Sequence, residues 1–232
     1  MKKVLKRISS LVQSRWFVLG VVLCIVSVAG VWWYDNHARN AFGRAYSKYQ
    51  IAAAIQQNAA FVPGAEANPV RDSLNRTLAQ LLAKDTKPAE RLVLANQSLQ
   101  LIAQLNTQID TIGDTAPAVT SSIATMETAA QSPGNVLHRS AMLRMVHLAQ
   151  KQMATIEDIR GLSYRADFEI TQICDHITAN KGVLLDQYVI ELNDELPAME
   201  KQFNDRENSY ADLQSNMYDI QQSYAGFSGS TL

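Results

Sequence analysis

An uncharged run of nineteen residues near the N-terminus limits the folds open to this chain more than any other feature. The run covers residues 16–34, WFVLGVVLCIVSVAGVWWY. A helix rises 1.5 Å per residue, so roughly 20 apolar residues cross the hydrocarbon core of a bilayer. Trp16 stands at one end and Trp32, Trp33 and Tyr34 at the other, where aromatic side chains favour the level of the lipid headgroups. The run therefore predicts a transmembrane helix anchored by these four side chains.

The charges that flank this run predict its orientation. Residues 1–15 carry five Lys and Arg residues and no acid, whereas residues 35–52 carry three basic residues and Asp35. Positive charge is enriched on the cytoplasmic side of membrane proteins. We therefore expect a cytoplasmic basic tail (1–15), a signal anchor (16–34) and an extracytoplasmic domain (35–227). The expected location is the bacterial inner (plasma) membrane, with the bulk of the chain periplasmic or extracellular.

A cleaved signal peptide is the alternative interpretation of the same segment. Ser27-Val28-Ala29 fits the small-residue pattern that precedes a cleavage point. Against it, the apolar run continues to Val31, and the apolar core of a signal peptide is only about 7–15 residues long. The length of the run favours an uncleaved anchor.

The rest of the chain has the apolar spacing of helices. We expect the anchor helix to continue to about residue 60, and further helices at 70–84 and 88–112. A turn at 113–117 and a weakly buried short helix at 118–131 should follow, then a loop at 132–135. Long helices are expected from 136 to 224, broken or bent near 161–163 and 180–182, and a flexible tail at 228–232. The predicted fold is all-α, an elongated antiparallel helical bundle.

The last predicted helix has the most regular pattern. Large apolar or aromatic side chains recur every seven residues, and a second set falls on the adjoining positions, as in a coiled coil over four heptads. The first set is Leu196, Phe203, Tyr210, Met217 and Tyr224, and the second is Met199, Leu213, Ile220 and Phe227, interrupted by Arg206. The seam predicts packing against another helix of the same chain. A face for self-association or partner docking is the alternative, above all for Tyr224 and Phe227.

The sequence contains no catalytic or cofactor-binding motif. It lacks HExxH, paired CxxC, CxxCH, a glycine-rich phosphate loop and GxSxG, and its four histidines are scattered. We therefore expect a protein that is not an enzyme and has no metal or cofactor. After residue 34 there are 16 Lys+Arg against 22 Asp+Glu. This acidic balance argues against nucleic acid as a partner, because nucleic-acid affinity comes mainly from cation–phosphate contacts.

Two segments resemble the LemA family. After Tyr34, residues 39–49 read Arg-Asn-x-Phe-x-x-Ala-Tyr-Ser-x-Tyr, similar to the family's Arg-Asn-x-Val and Ala-Trp-Ser-x-Ile. Near the other end, Glu195-Leu196, Glu200 and Phe203 precede two tyrosines, similar to the family's closing helix. The stretch after residue 49 lacks the family's Asp-Val-Gln. The resemblance implies a membrane-anchored antiparallel helical bundle.

Two classes of function fit these features. The first is a non-enzymatic scaffold, assembly factor or accessory subunit of a membrane complex. Its partners would be the lipid bilayer and other membrane or envelope proteins, with homo-oligomers also open. The alternative is an extracytoplasmic sensor-like bundle that binds a ligand. Such sensors pass their signal through a second span, and no second apolar stretch follows residue 34, so the first class is favoured.

Overall fold

A computed structural model describes residues 15–60, 69–133, 135 and 137–223, apart from the side chains of 15–17 and 191–193. Five helices make up almost all of these residues. They are α1 (Arg15–Ala60), α2 (Pro69–Leu82), α3 (Pro88–Gln131), α4 (Arg139–Ala179) and α5 (Asp186–Ser223). These residues include no strand. The predicted all-α class is therefore confirmed for this part of the chain.

Proline residues begin two of the helices. Pro69 is the first residue of α2, and Pro88 is the first residue of α3. Proline suits this position because an N–H group there would have no partner within the helix. Lys87 precedes Pro88 with an extended backbone (φ −73°, ψ 152°). The predicted helix starts near residues 70 and 88 are confirmed, as is the continuation of the anchor helix to residue 60.

The predicted turn at 113–117 is wrong, because α3 is one helix of 44 residues with Pro117 inside it. Ile112 and Val119 are both buried, so an unbroken helix keeps both sides of the proline in the core. The Gln56 side chain of α1 also donates a hydrogen bond to the Ile112 carbonyl (3.1 Å). The expected weak burial of 118–131 is wrong too. Four further apolar residues of that stretch are buried: Ile123, Met126, Ala129 and Ala130.

The helix is not broken at 161–163, since α4 runs without interruption for 41 residues; the alternative of a bend there stays a prediction. A β-carbon added at Gly161 would meet nothing within 4 Å, so the structure does not require glycine there. One glycine costs a helix only about 1 kcal/mol relative to alanine. Buried Ile159 and Ile170 on either side outweigh that cost by holding the helix to the core. Pro197 likewise lies inside α5.

The core formed by the described residues consists of three clusters of buried side chains. The proximal cluster joins residues 42–52 of α1, 119–130 of α3, 141–149 of α4, and Met217 and Ile220 of α5. The middle cluster contains one pair of residues from each of four helices: Ala59 and Ala60 of α1, Ile109 and Ile112 of α3, Ile156 and Ile159 of α4, and Phe203 and Tyr210 of α5. The distal cluster joins Leu74, Leu78 and Leu81 of α2 to residues 94–105 and 170–177. From proximal to distal, residue numbers rise through α1 and α2, fall in α3, rise in α4 and fall in α5.

Gly182 ends α4 at the predicted break of 180–182, which is confirmed. Its φ is +88°, and its N–H donates to the Ile177 carbonyl at 2.8 Å. Glycine is favoured at such a helix end because a side chain is strained in the left-handed region. The position also lies against the start of α3, since an added β-carbon would stand 1.9 Å from the Pro88 carbonyl oxygen.

Gly182→Ala should lower the free energy of unfolding by at least about 2 kcal/mol. The left-handed conformation alone costs about 1–2 kcal/mol, and the backbone of Pro88 must also move. Gly161→Ala is the matched control and should stabilise by about 0.5–1 kcal/mol, because that glycine is helical and open to solvent. Thermal melts of the two variants check the pair. Equal midpoints would contradict the tight contact at Gly182.

Candidate functional site

The first part of α1 is an apolar helix that does not pack on the rest of the chain. Within the described residues it is the one helix long and apolar enough to cross a membrane, and only 6% of its most apolar window is buried. Large apolar side chains are exposed on every side of it: Val18, Leu19, Val21, Val22, Leu23, Ile25, Val26, Val28 and Val31. A helix that is hydrophobic all round is stable in a protein core or in lipid, and this segment has no protein core around it.

The aromatic side chains that were predicted as anchors lie at the end of this segment. Trp32, Trp33 and Tyr34 are all exposed, and the side chain of Trp16 lies outside the described residues. The Trp33 ring packs edge-on against Tyr34, with 4.9 Å between centroids, and stacks on His37 at 5.6 Å. These rings therefore form a small exposed aromatic group where the apolar segment ends.

The packed part of the molecule begins at Asp35. This residue is buried, and its Oδ2 lies 3.1 Å from Nδ1 of His138, in the loop between α3 and α4. The contact holds that loop to α1 one residue after the aromatic group. Next to it, Leu137 is exposed. From Ala38 onward α1 has a buried face, so the change from exposed apolar helix to core helix is abrupt.

The seam predicted in the last helix lies inside the molecule. Phe203 and Tyr210 belong to the middle cluster, and Met217 to the proximal cluster. Burial raises the pKa of Tyr210 to about 12. Tyr224 and Phe227, also predicted for the seam, lie outside the described residues. Five of the nine seam residues are thus buried within the chain: Met199, Phe203, Tyr210, Met217 and Ile220.

After Asp35, α1 also has an exposed face, opposite the face that packs in the core. A stripe of basic and apolar residues runs along it. Arg44, Lys48, Ile51 and Ile55 recur at the three- and four-residue spacing of one helix face, and all four are exposed. Ile51 has 67% and Ile55 44% of its surface accessible. Neither cation makes an ion pair with a described residue. We call these four residues the α1 stripe; it is basic and apolar on a domain that is acidic as a whole.

A cleft of about 410 Å³ opens between α2, α3, α4 and α5. Its walls are mainly apolar, with polar groups at a few points only. Representative apolar members are Leu74, Leu78, Leu105, Ile170, Met199 and Phe203. The charged residues of the lining are Arg71, Asp167 and Glu200. A concave apolar site with a few polar groups is the usual form of a small-molecule site.

Asp167 is the unusual residue in this cleft. It is only 8% exposed, and its Oδ2 is buried without a hydrogen-bond partner. Burial raises its pKa to about 6, since the ionised carboxylate loses its hydration there. Arg71 stands elsewhere on the wall, with Nη1 3.8 Å from Oε1 of Glu207 and its guanidinium 4.8 Å from the Phe203 ring centre.

The described ranges offer no metal centre. Across them there is no cluster of three or more His, Cys, Asp or Glu residues that could hold a metal ion. Cys174 is fully buried in the distal cluster, and burial raises its thiol pKa to about 11. A protonated, enclosed thiol is a poor nucleophile.

Sequence reasoning did not find Asp167 or the α1 stripe, although both leave a signal. Residues 156, 159, 163, 167, 170, 174 and 177 follow the buried face of α4, and Asp167 is the one acid among them. An acid at a core register position marks either a buried ion pair or a binding group. In the sequence, the α1 stripe is visible as two cations and two isoleucines spaced on one helix face.

Comparison of the chain with protein-family models, with curated proteins and with solved structures finds no match. The resemblance to the LemA family therefore stays a prediction. The structure gives the residues of its first motif a packing role, because Phe42, Ala45, Tyr46 and Tyr49 are all buried in the proximal cluster.

Proposed function

We propose that this protein is a single-pass, non-enzymatic membrane protein whose helical bundle lies outside the membrane and docks a partner protein there. The apolar segment of α1, exposed on all sides and continuous with the packed part of the same helix, is the observation that carries the proposal. Such a helix is unstable in water and suited to lipid. The basic residues before it support a cytoplasmic N-terminus in the bacterial inner membrane.

The order of the core clusters supports an antiparallel bundle that stands on the anchor. Residue numbers rise in α1 and fall in α3, then rise in α4 and fall in α5. The continuity of α1 transmits the direction of the membrane segment to the bundle. We infer that Asp35, His138 and the loop between α3 and α4 lie next to the lipid headgroups, with the distal cluster farthest away.

The α1 stripe is the proposed docking face. It lies within about 30 Å of the end of the apolar segment, since 20 residues separate Asp35 from Ile55 at 1.5 Å each. An exposed pair of isoleucines beside two cations suits a partner that presents acidic and apolar side chains close to the membrane. A scaffold, assembly factor or accessory subunit of a membrane complex needs a face of this kind.

A photo-crosslinking experiment in cells tests the docking face. A photoreactive residue at Ile51 or Ile55 should capture one defined membrane or envelope protein. The matched control is Phe168, an exposed apolar residue of α4 (59% accessible), where we expect no such product. Arg44→Glu with Lys48→Glu should abolish the product at Ile51 by reversing the charge. Equal products at Ile51 and Phe168, or a product that survives the charge reversal, would contradict the proposal.

A further inference from the structure

We propose that the cleft around Asp167 binds a small organic amine, with the cationic head at Asp167 and the apolar body along the leucine and isoleucine walls. This inference does not depend on the docking face, because the cleft is formed by α2, α3, α4 and α5 and the α1 stripe takes no part in it; only the choice of a freely diffusing ligand rests on the proposed membrane anchor. The two proposals can fail separately.

The charges around the cleft determine the class of ligand. Asp167 Oδ2 is an acceptor that is buried and has no partner within the described part of the chain. A buried carboxylate is costly unless a cation or a donor compensates it. Arg71 is already 3.8 Å from Glu207, and Glu200 adds a further acid to the lining. With acids in excess of bases, the cleft favours a cation over an anion.

The apolar walls and the volume of the cleft determine the size and polarity of the rest of the ligand. Apart from Arg71, Asp167, Glu200 and two further polar residues, Asn75 and Ser163, the lining is aliphatic or aromatic. Its apolar members include Leu74 and Leu78 of α2 and Met199 and Phe203 of α5. The volume of about 410 Å³ lies at the lower end of the range for small-molecule sites. An amine with a short aliphatic or aromatic body fits both the size and the polarity.

The position of the cleft favours a freely diffusing amine over the headgroup of a bilayer lipid. Between Asp35 and Ala60, α1 rises through 25 residues, or about 38 Å. The cleft lies at and beyond this level, because Phe203 shares the middle cluster with Ala60 and Leu74 belongs to the distal cluster. A headgroup in the bilayer does not reach so far.

The test uses the full chain in lipid nanodiscs with three probes of equal chain length: n-hexylamine, n-hexanol and hexanoate. Hexylamine should raise the thermal midpoint and bind measurably by calorimetry. Hexanol should bind at least about tenfold more weakly, since its neutral hydroxyl can donate a hydrogen bond to the carboxylate but cannot form an ion pair with it, and hexanoate should not bind. Hexanol that binds as well as hexylamine would overturn the proposal.

Asp167→Asn is the decisive variant, because it keeps the shape of the side chain and removes its charge. It should abolish hexylamine binding, and retained binding would show that the amine sits elsewhere, for instance in the lipid. Ala166→Leu is a second variant, which keeps Asp167 but fills the part of the cleft next to Asp167. This variant should also weaken hexylamine binding. Unchanged affinity in Ala166→Leu would overturn the assignment to this cleft.

The pH dependence of binding provides an independent readout. The pKa of Asp167 is about 6, so hexylamine affinity should fall as the pH is lowered from 7.5 to 5, while the amine itself stays protonated. The charged groups on the surrounding elements are Arg71 of α2 and Glu200 and Glu207 of α5. In Glu200→Gln, the pH midpoint of this fall in hexylamine affinity should be unchanged. A midpoint that disappears with Glu200 would assign the cation to that residue and overturn the role of Asp167.

Discussion

Tyr210→Ala is expected to lower the free energy of unfolding by about 3–5 kcal/mol, the usual cost of removing a large buried ring. Tyr210 is only 2% exposed and packs in the middle cluster with Phe203 and residues of α1, α3 and α4. For a chain of this size each kcal/mol corresponds to about 2–4 °C, so the thermal midpoint should fall by about 10 °C. The measurement is a thermal melt of the full chain in detergent.

Two controls on the same helix make this result specific. Tyr210→Phe keeps the ring and should stay within about 1.5 kcal/mol of the parent chain. Tyr218→Ala removes a ring that is 59% exposed and should change stability by no more than about 0.5 kcal/mol. If Tyr210→Ala left the midpoint unchanged but abolished self-association or co-purification, the seam would be an interface and its burial within the chain would be contradicted.

Much of the fold could be predicted because local chemistry and burial agree at the helix ends. Pro88 can begin a helix but not easily continue one, and Gly182 adopts the left-handed backbone that ends α4. The prediction failed where local chemistry was overruled by packing. Pro117 suggested a turn, yet Ile112, Val119 and the Gln56 hydrogen bond keep α3 continuous. Such contacts join residues far apart in sequence, so a local pattern does not contain them.

The candidate sites also differ in how far the sequence alone predicts them. The apolar segment and its aromatic end could be predicted because they depend on composition and order alone. Asp167 could be seen as an acid on an apolar face of α4, but its cleft requires α2 and α5 to lie beside that face. Asp35 was visible only as a charge after the aromatic group, and its contact with His138 spans 103 residues of sequence. The chemistry of these sites therefore depends on which helices pack together, and the local sequence pattern does not contain that information.

Leu23→Arg combined with Val26→Arg is expected to abolish membrane association. The two side chains are 58% and 62% exposed near the middle of the apolar segment, so none of the described residues encloses the arginines there. Each arginine at the centre of a transmembrane helix costs about 2.5–3.5 kcal/mol on the insertion scale, and two together cost about 6 kcal/mol. The measurement is the fraction of protein that stays in the membrane pellet after a carbonate wash.

The matched control places the same two charges farther along α1, at Ile51 and Ile55, which are also apolar and exposed. Ile51→Arg with Ile55→Arg should remain in the pellet, because these positions lie in water on the proposed arrangement, although the partner cross-link should be lost. The contrast separates two meanings of an exposed apolar side chain on one helix: contact with lipid before Asp35 and contact with protein after it. Equal release of both variants would contradict this division. A soluble parent chain that begins near Gly30 would instead identify the apolar segment as a cleaved signal peptide, since Ser27, Val28 and Ala29 would then have directed cleavage.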